Sequence, residues 1–164
     1  MPSSDYWFDP KPKEKVQWKD IPLSQHLGLK ERQLVLILWP PAGFIERLGH
    51  DYAQEGRYDL EPDLLEYDYI HSFITSKIVL ENMLPTLINR LNPTGMLWVS
   101  FPTRQADNRS DLNRRLVREI CMARGLLETK SLKIDNDWTA LKFIHDPHKP
   151  IHFSEKREVL RFGL

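Results

Sequence analysis

The chain is short of most features that announce a function. It carries one cysteine, Cys121, in 164 residues. One thiol cannot close an internal disulfide, so a disulfide-stapled scaffold is excluded and a reducing, cytoplasmic setting is expected. No apolar run reaches the roughly 18 residues that a membrane-spanning helix needs. The opening residues, Met1-Pro2-Ser3-Ser4-Asp5-Tyr6, have neither the basic start nor the apolar centre of a signal peptide. Neither sign of charge is in excess: 23 Lys plus Arg balance 23 Asp plus Glu. That removes the global electrostatic case for a nucleic-acid or anionic-membrane partner. Glycine is sparse, with 7 residues and no G-x-G.

What is present is enough apolar material, 41%, for one core, and a length suited to one domain. Disorder along the whole chain is therefore excluded. The 12 prolines gather at both ends and at turns. Residues 1–20 hold Pro2, Pro10 and Pro12, a charged run from Lys11 to Lys15, and no periodicity. They read as an N-terminal arm whose Tyr6, Trp7, Phe8 and Trp18 lie on the domain, on a protein partner or on a second copy in a homo-oligomer. Residues 21–145 read as the domain, and residues 146–164 as a charged tail with a last turn around Glu155 to Phe162.

Within the domain, Pro22 and Gly28 bracket a short helix. Leu34-Val35-Leu36-Ile37-Leu38-Trp39 is apolar without alternation and stopped by Pro40-Pro41, the pattern of a strand buried on both faces. Gly43 to Gly49 form a short helix, and Arg57 to Leu60 a weak strand. Tyr67 to Ile74 is a second strand, with Tyr67, Tyr69, His71 and Phe73 on one face. Thr75 or Ser76 caps a helix to about Arg90, with a kink at Pro85. Asn92-Pro93-Thr94-Gly95 is a turn, and Met96 to Phe101 a third buried strand. Pro102 to Arg109 is a polar loop. Ser110 caps a helix from Asp111 to Arg124, with Leu112, Leu116, Ile120 and Ala123 inward. Leu126 to Ile134 and Trp138 to His145 form an antiparallel hairpin across Asp135-Asn136-Asp137. Strand and helix alternate, so the expected fold is α/β: a three-layer Rossmann-like, mostly parallel sheet ending in an antiparallel hairpin.

That pattern resembles the class I methyltransferase sheet, which also ends in an antiparallel hairpin. Leu91-Asn92-Pro93-Thr94-Gly95-Met96-Leu97-Trp98-Val99 is similar to the leucine-x-proline-glycine-glycine turn that opens the fifth strand of those enzymes. A closer likeness, over about residues 21–145, is to a family of small, mostly bacterial proteins known only as a domain of unknown function. The residues that carry it are Pro22-Leu23, Leu27-Gly28-Leu29, Pro41-x-Gly43-Phe44, Asp68-x-Ile70-His71-x-Phe73, Gly95-x-Leu97-Trp98-Val99-Ser100-Phe101-Pro102, Asp111-Leu112-Asn113 and Trp138-x-Ala140-Leu141-Lys142-Phe143. Members often carry two lysines after the proline, where Thr103-Arg104 stand here. The resemblance implies a shortened methyltransferase-type Rossmann domain and no established reaction.

A methyltransferase normally lays its cofactor across a glycine-rich turn after the first strand. Here that turn is Trp39-Pro40-Pro41-Ala42-Gly43-Phe44, with one glycine and two positions lacking an N–H. A ribose-binding acid is expected about 20 residues on, where Asp59 and Glu61 stand. The stretch from Leu60 to Tyr67 is too short for the helix and strand that complete the adenine side. The expectation is a non-catalytic interaction or ligand-sensing module, with no catalytic residue, resident cofactor or metal. The alternative is an enzyme or binder of an adenosyl cofactor or nucleotide at the carboxyl edge of the sheet. It would use Asp59 and Glu61 on one side and Ser100, Thr103, Arg104, Arg109, Asp111 and Asn113 on the other.

Five other features have a plain structural reading. Arg104, Arg109, Arg114, Arg115, Arg118 and Arg124 crowd one region, but acids dilute them and no aromatic interleaves for base stacking, so they read as a solvated helix face. His145, His148 and His152 match no firm zinc spacing. His71 reads as a hydrogen-bonded structural histidine rather than an acid/base. Cys121 and Trp138 read as an inert packed thiol and a hairpin anchor.

Overall fold

A computed structural model describes residues 21–49, 58–104, 106 and 109–149. The arm of residues 1–20, Arg57, His152 and the turn around Glu155 lie outside the described residues. So does most of the tail.

Helix α1 (Leu23–Leu27) stops at Gly28, whose φ of 77° allows its N–H and that of Leu29 to close back on the carbonyls of Gln25 and Ser24. Strand β1 (Val35–Leu38) is buried along its whole length. Leu34 and Trp39, expected to extend it, lie beyond the covered stretch and are exposed. Helix α2 (Phe44–Leu48) leads towards β2 (Tyr67–Phe73). Helix α3 (Lys77–Arg90) starts at Ser76, whose hydroxyl accepts from the Val79 N–H, and runs unbroken through Pro85. Pro85 sits on the exposed side, where water can reach the carbonyl it leaves unpaired.

Strand β3 (Leu91–Pro102) follows α3 at once, and the expected Asn92–Gly95 turn is a distortion within it. Its register against β2 jumps from Tyr67↔Leu91 to Tyr69↔Met96. Asn92 holds the distortion with its side chain: Oδ1 accepts from the Thr94 N–H, and Nδ2 donates to Asp68. Gly95 is required there, because a Cβ would meet Leu91 at 2.9 Å and the Asp68 carbonyl at 3.0 Å. The same irregularity turns Tyr67 away from Tyr69, His71 and Phe73. Tyr67 joins the core on the opposite face of the sheet, against the simple alternation expected.

Helix α4 (Arg114–Ala123) begins three residues later than Asp111. Asn113, not Ser110, caps it, its Oδ1 accepting from the Leu116 N–H at 2.8 Å. Val117 and Cys121 form its buried line, Leu116 and Ile120 flank it, and Ala123 is exposed. Strands β4 (Leu126–Lys133) and β5 (Trp138–His145) make the hairpin.

The sheet order is β1-β2-β3-β5-β4, with β1, β2 and β3 parallel and β5 antiparallel to both neighbours. The chain passes through α4 to β4, and β5 folds back into the gap beside β3. Two cores cover the sheet. On one face α3 and α4 pack aliphatic residues, among them Leu80, Leu84, Leu87 and Val117, on Leu36, Ile70, Leu97 and Val99. On the other α1 and α2 place Leu27, Phe44 and Leu48 against Ile37, Tyr69, Phe73 and Trp98. The architecture is therefore the expected three layers.

Candidate functional site

In open α/β sheets ligands bind beyond the carboxyl ends of the parallel strands. Here those ends lie abreast, with Leu38 of β1 opposite Ser72 and Ser72 opposite Val99. β1 leaves through Trp39, whose φ of 53° puts a bulky residue in the left-handed region. Its side chain is 52% exposed. Pro40 and Pro41 follow, Gly43 turns with a φ of 84°, and the Phe44 N–H donates to the Pro41 carbonyl. Phe44 then drops into the core, edge-on to His71 and Phe73.

Beneath Phe44 lies a polar chain. The Ser100 hydroxyl is 2.6 Å from His71 Nε2, and the Tyr69 hydroxyl is 2.9 Å from His71 Nδ1. A hydroxyl beside an imidazole that a third group orients is the arrangement of an activated nucleophile. All three residues are fully buried, however, and Phe73 and Trp98 stack on the imidazole. Burial lowers the His71 pKa to about 3, so the ring is neutral. Its two nitrogens are one donor and one acceptor, and two hydroxyls satisfy both. The reading of His71 as a hydrogen-bonded residue agrees with this geometry. Ser100, expected at the ligand edge, is turned inward to complete the network. Strand order and register bring the pair together, and neither is visible in a single strand's pattern.

Thr103 is bound to the hairpin, its N–H donating to the Asp137 carbonyl at 2.8 Å and its hydroxyl to the Asn136 carbonyl at 2.5 Å. Ser110 donates to the Thr75 carbonyl at 2.6 Å, and Asp111 Oδ1 accepts from the Lys77 N–H at 2.8 Å. The carboxylate expected at the head of α4 thus caps α3 instead. Asn113 caps α4 itself. Arg104 and Arg109 are exposed on this loop.

Asp59 lies on the outer flank of β1. Its backbone pairs with Val35 and Ile37, and its carboxylate accepts from the Tyr67 hydroxyl at 2.6 Å. That hydroxyl also accepts from the N–H groups of Asp63 and Leu64, and burial first, then the bond to Asp59, raises its pKa. Glu61 is exposed, and its carbonyl accepts from the Asp63 N–H. β1 and β2 separate Asp59 from β3, so three strand spacings of about 4.8 Å put roughly 14 Å between the two halves of the expected site. The structure brings Thr103, Ser110, Asp111 and Asn113 into one loop system and leaves Asp59 and Glu61 outside it.

The arginine stripe is paired with acids: Arg114 and Arg118 share Glu128 of β4, and Arg115 pairs with Glu119 at 3.0 Å. Burial pushes the Cys121 thiol up to about 12, which keeps it protonated and unreactive. Trp138 packs edge-on to Phe73 at 5.2 Å, the hairpin anchor expected. His145 is buried against the Leu91 carbonyl. No helix among the described residues is long and apolar enough to cross a membrane.

No family model matches the chain, and no curated protein sequence matches it. Solved structures do match. A SAM-dependent methyltransferase from Aquifex aeolicus aligns with a TM-score of 0.53 and 14% identity, over 74% of this chain and 86% of that one. A structure of PigF with SAH aligns with a TM-score of 0.52 and 12% identity, over 77% and 58%. The fold is methyltransferase-like. Identities this low carry the likeness no further than the fold. The fibrillarin pre-rRNA processing protein of Methanococcus jannaschii aligns at 0.45 and 14% identity over 69% of this chain, which spans 56% of that protein's length. In this methyltransferase-like sheet, the outer flank of β1 carries the single Asp59 bridge among the described residues.

Proposed function

We propose that the chain is a non-catalytic interaction or ligand-sensing module on a methyltransferase-like sheet, as the resemblance of residues 21–145 to the small bacterial family suggests. One observation carries the reading. Four polar side chains at the carboxyl edge, Arg104 and Arg109 apart, are engaged within the protein: Ser100 with His71, Thr103 with the hairpin, Ser110 and Asp111 with the start of α3. A ligand there would have to displace bonds that hold the loops together. The arm of residues 1–20, rich in aromatics, is the proposed route to a protein partner or a second copy.

The test is a thermal-shift series with S-adenosylmethionine, S-adenosylhomocysteine and ATP. A ligand at about 100 times its Kd adds roughly 2.7 kcal/mol, a rise of several degrees for a chain this size. The expected result is no shift, together with a change of oligomeric state or partner when residues 1–20 are removed. The second reading, an adenosyl or nucleotide site, is favoured by the strained and exposed Trp39 at the end of β1 and by Arg104 across the edge. A shift that Arg104→Ala abolishes, with stability unchanged, would establish it.

A further inference from the structure

An apolar patch stands beyond the outer flank of β1, in the stretch that joins Asp59 to β2. Leu60, Leu64 and Leu65 are 51%, 40% and 57% exposed there. A single exposed leucine needs no explanation, but three within six residues, on a fixed backbone, do. The backbone is held at both ends. Asp59 pairs with Val35 and Ile37 of β1. The Tyr67 hydroxyl accepts from the N–H groups of Asp63 and Leu64 and donates to Asp59, and Arg90 at the end of α3 donates to the Leu64 carbonyl. These bonds keep the leucines from turning inward. The same stretch holds four acids, Asp59, Glu61, Asp63 and Glu66, and no basic residue. Glu61 and Asp63 are exposed. An apolar patch rimmed by one sign of charge suits a partner with apolar anchors and the opposite charge.

The chain contains a segment of that chemistry. Between Tyr6 and Lys19 stand the aromatics Tyr6, Trp7, Phe8 and Trp18, and four lysines against Asp9 and Glu14. Aromatic side chains are the commonest anchors of an interface. The described chain begins at Ile21 and enters α1, whose end is anchored to Trp98 of β3 and Lys130 of β4. That roots the segment towards the edge of the sheet opposite β1. To meet its own flank it would have to double back across the α1–α2 face. A second copy offers the flank without that detour, and two copies that exchange segments close a two-fold dimer.

We propose that Tyr6 to Lys19 of one copy dock on the acidic leucine flank of a second copy, reciprocally, to form a dimer. This inference rests on the reading of the chain as an interaction module and names its partner and its surface. It uses no residue of the carboxyl edge.

The test is light scattering on the full chain over a concentration series. Wild type should reach twice the 19.4 kDa of one chain. Leu65→Asp on the flank and Trp7→Ser in the segment should each weaken the dimer by about tenfold or more, the effect of losing an interface anchor. Mixed in equal amounts, the two variants should associate again in part, because one intact segment then meets one intact flank. If Leu65→Asp does not fold, Glu61→Lys combined with Asp63→Lys reverses the charge instead and should weaken the dimer likewise. A wild type of single-chain mass, an unchanged dimer in the flank variants, or a mixture that stays apart would overturn the proposal. Loss of the dimer in Trp7→Ser alone would remove the flank and leave the role proposed for residues 1–20 standing. A dimer unchanged in both variants would count against that role as well.

Discussion

The two faces of the sheet are built differently. The α3–α4 face is aliphatic, under helices of 14 and 10 residues. The α1–α2 face is aromatic, under two helices of 5 residues, with His71, Tyr69 and Ser100 bonded inside it. Helices that short have no stability of their own. Anchors hold them in place: Trp98 to the Leu27 carbonyl, Phe44 against His71 and Phe73, and Arg47 to the Ile134 carbonyl and Asp135. One face rests on burial by long helices, the other on a few directed contacts.

The largest expected effect separates the two kinds of support. Trp98→Ala should cost about 3–5 kcal/mol in urea unfolding, since it removes a fully buried indole and the α1 anchor together. Leu84→Ala on the other face should cost about 2–5 kcal/mol. The sharper readout is hydrogen exchange: Trp98→Ala should speed exchange in α1 beyond its global cost, whereas Leu84→Ala should act through global unfolding alone. Uniform loss in both would erase the distinction.

Acid is the next test, because His71 titrates on the α1–α2 face. Its native pKa is about 3, below the ordinary value of 6.5. Between those values the unfolded chain binds a proton that the native state refuses. Stability is therefore whole above 6.5 and falls as the pH drops towards about 3, by about 1.4 kcal/mol per pH unit. In urea unfolding against pH, His71→Gln should flatten that limb relative to wild type. An unchanged slope would mean the imidazole is not excluded from protonation.

The smallest effects set two serines against each other. Ser100→Ala should cost about 1–2 kcal/mol, because it orphans a buried imidazole nitrogen. Ser72, on the aliphatic face, is fully buried, and its hydroxyl has no hydrogen-bond partner among the described residues. Ser72→Ala should be neutral or stabilise by up to about 1 kcal/mol. Urea midpoints that moved the same way would show that the faces treat a buried hydroxyl alike.

Much of the fold was legible because its signals are local. The apolar run Leu34–Trp39 marked a strand covered on both sides, realised over Val35–Leu38, and Gly28 and one of the two offered caps, Ser76, sit at helix ends. The errors fell where a distant partner decides. Asp111 looked like the first turn of α4, yet it caps α3, 34 residues back in the chain. Ser110, read as a cap, bonds across to Thr75. Tyr67 obeys the alternation of its own strand until the irregularity held by Asn92 and Asp68 reverses it. The candidate site residues are likewise placed by strand order: Asp59 lies on the outer flank of β1 and Thr103 follows β3, with β1 and β2 between them.

The sequence by itself determined the α/β class, the closing hairpin, the strand cores and the absence of a glycine-rich turn after β1. These follow from backbone preference and from the periodicity of apolar residues, which act over a few positions. Tertiary structure alone decided which polar side chains are spent within the protein and which are left over. Ser100 meets His71, and Asp111 meets the Lys77 N–H, only once strand order and register are set. Hydrogen bonds and charge pairs act over a few ångströms in space, and chain distance carries no record of them.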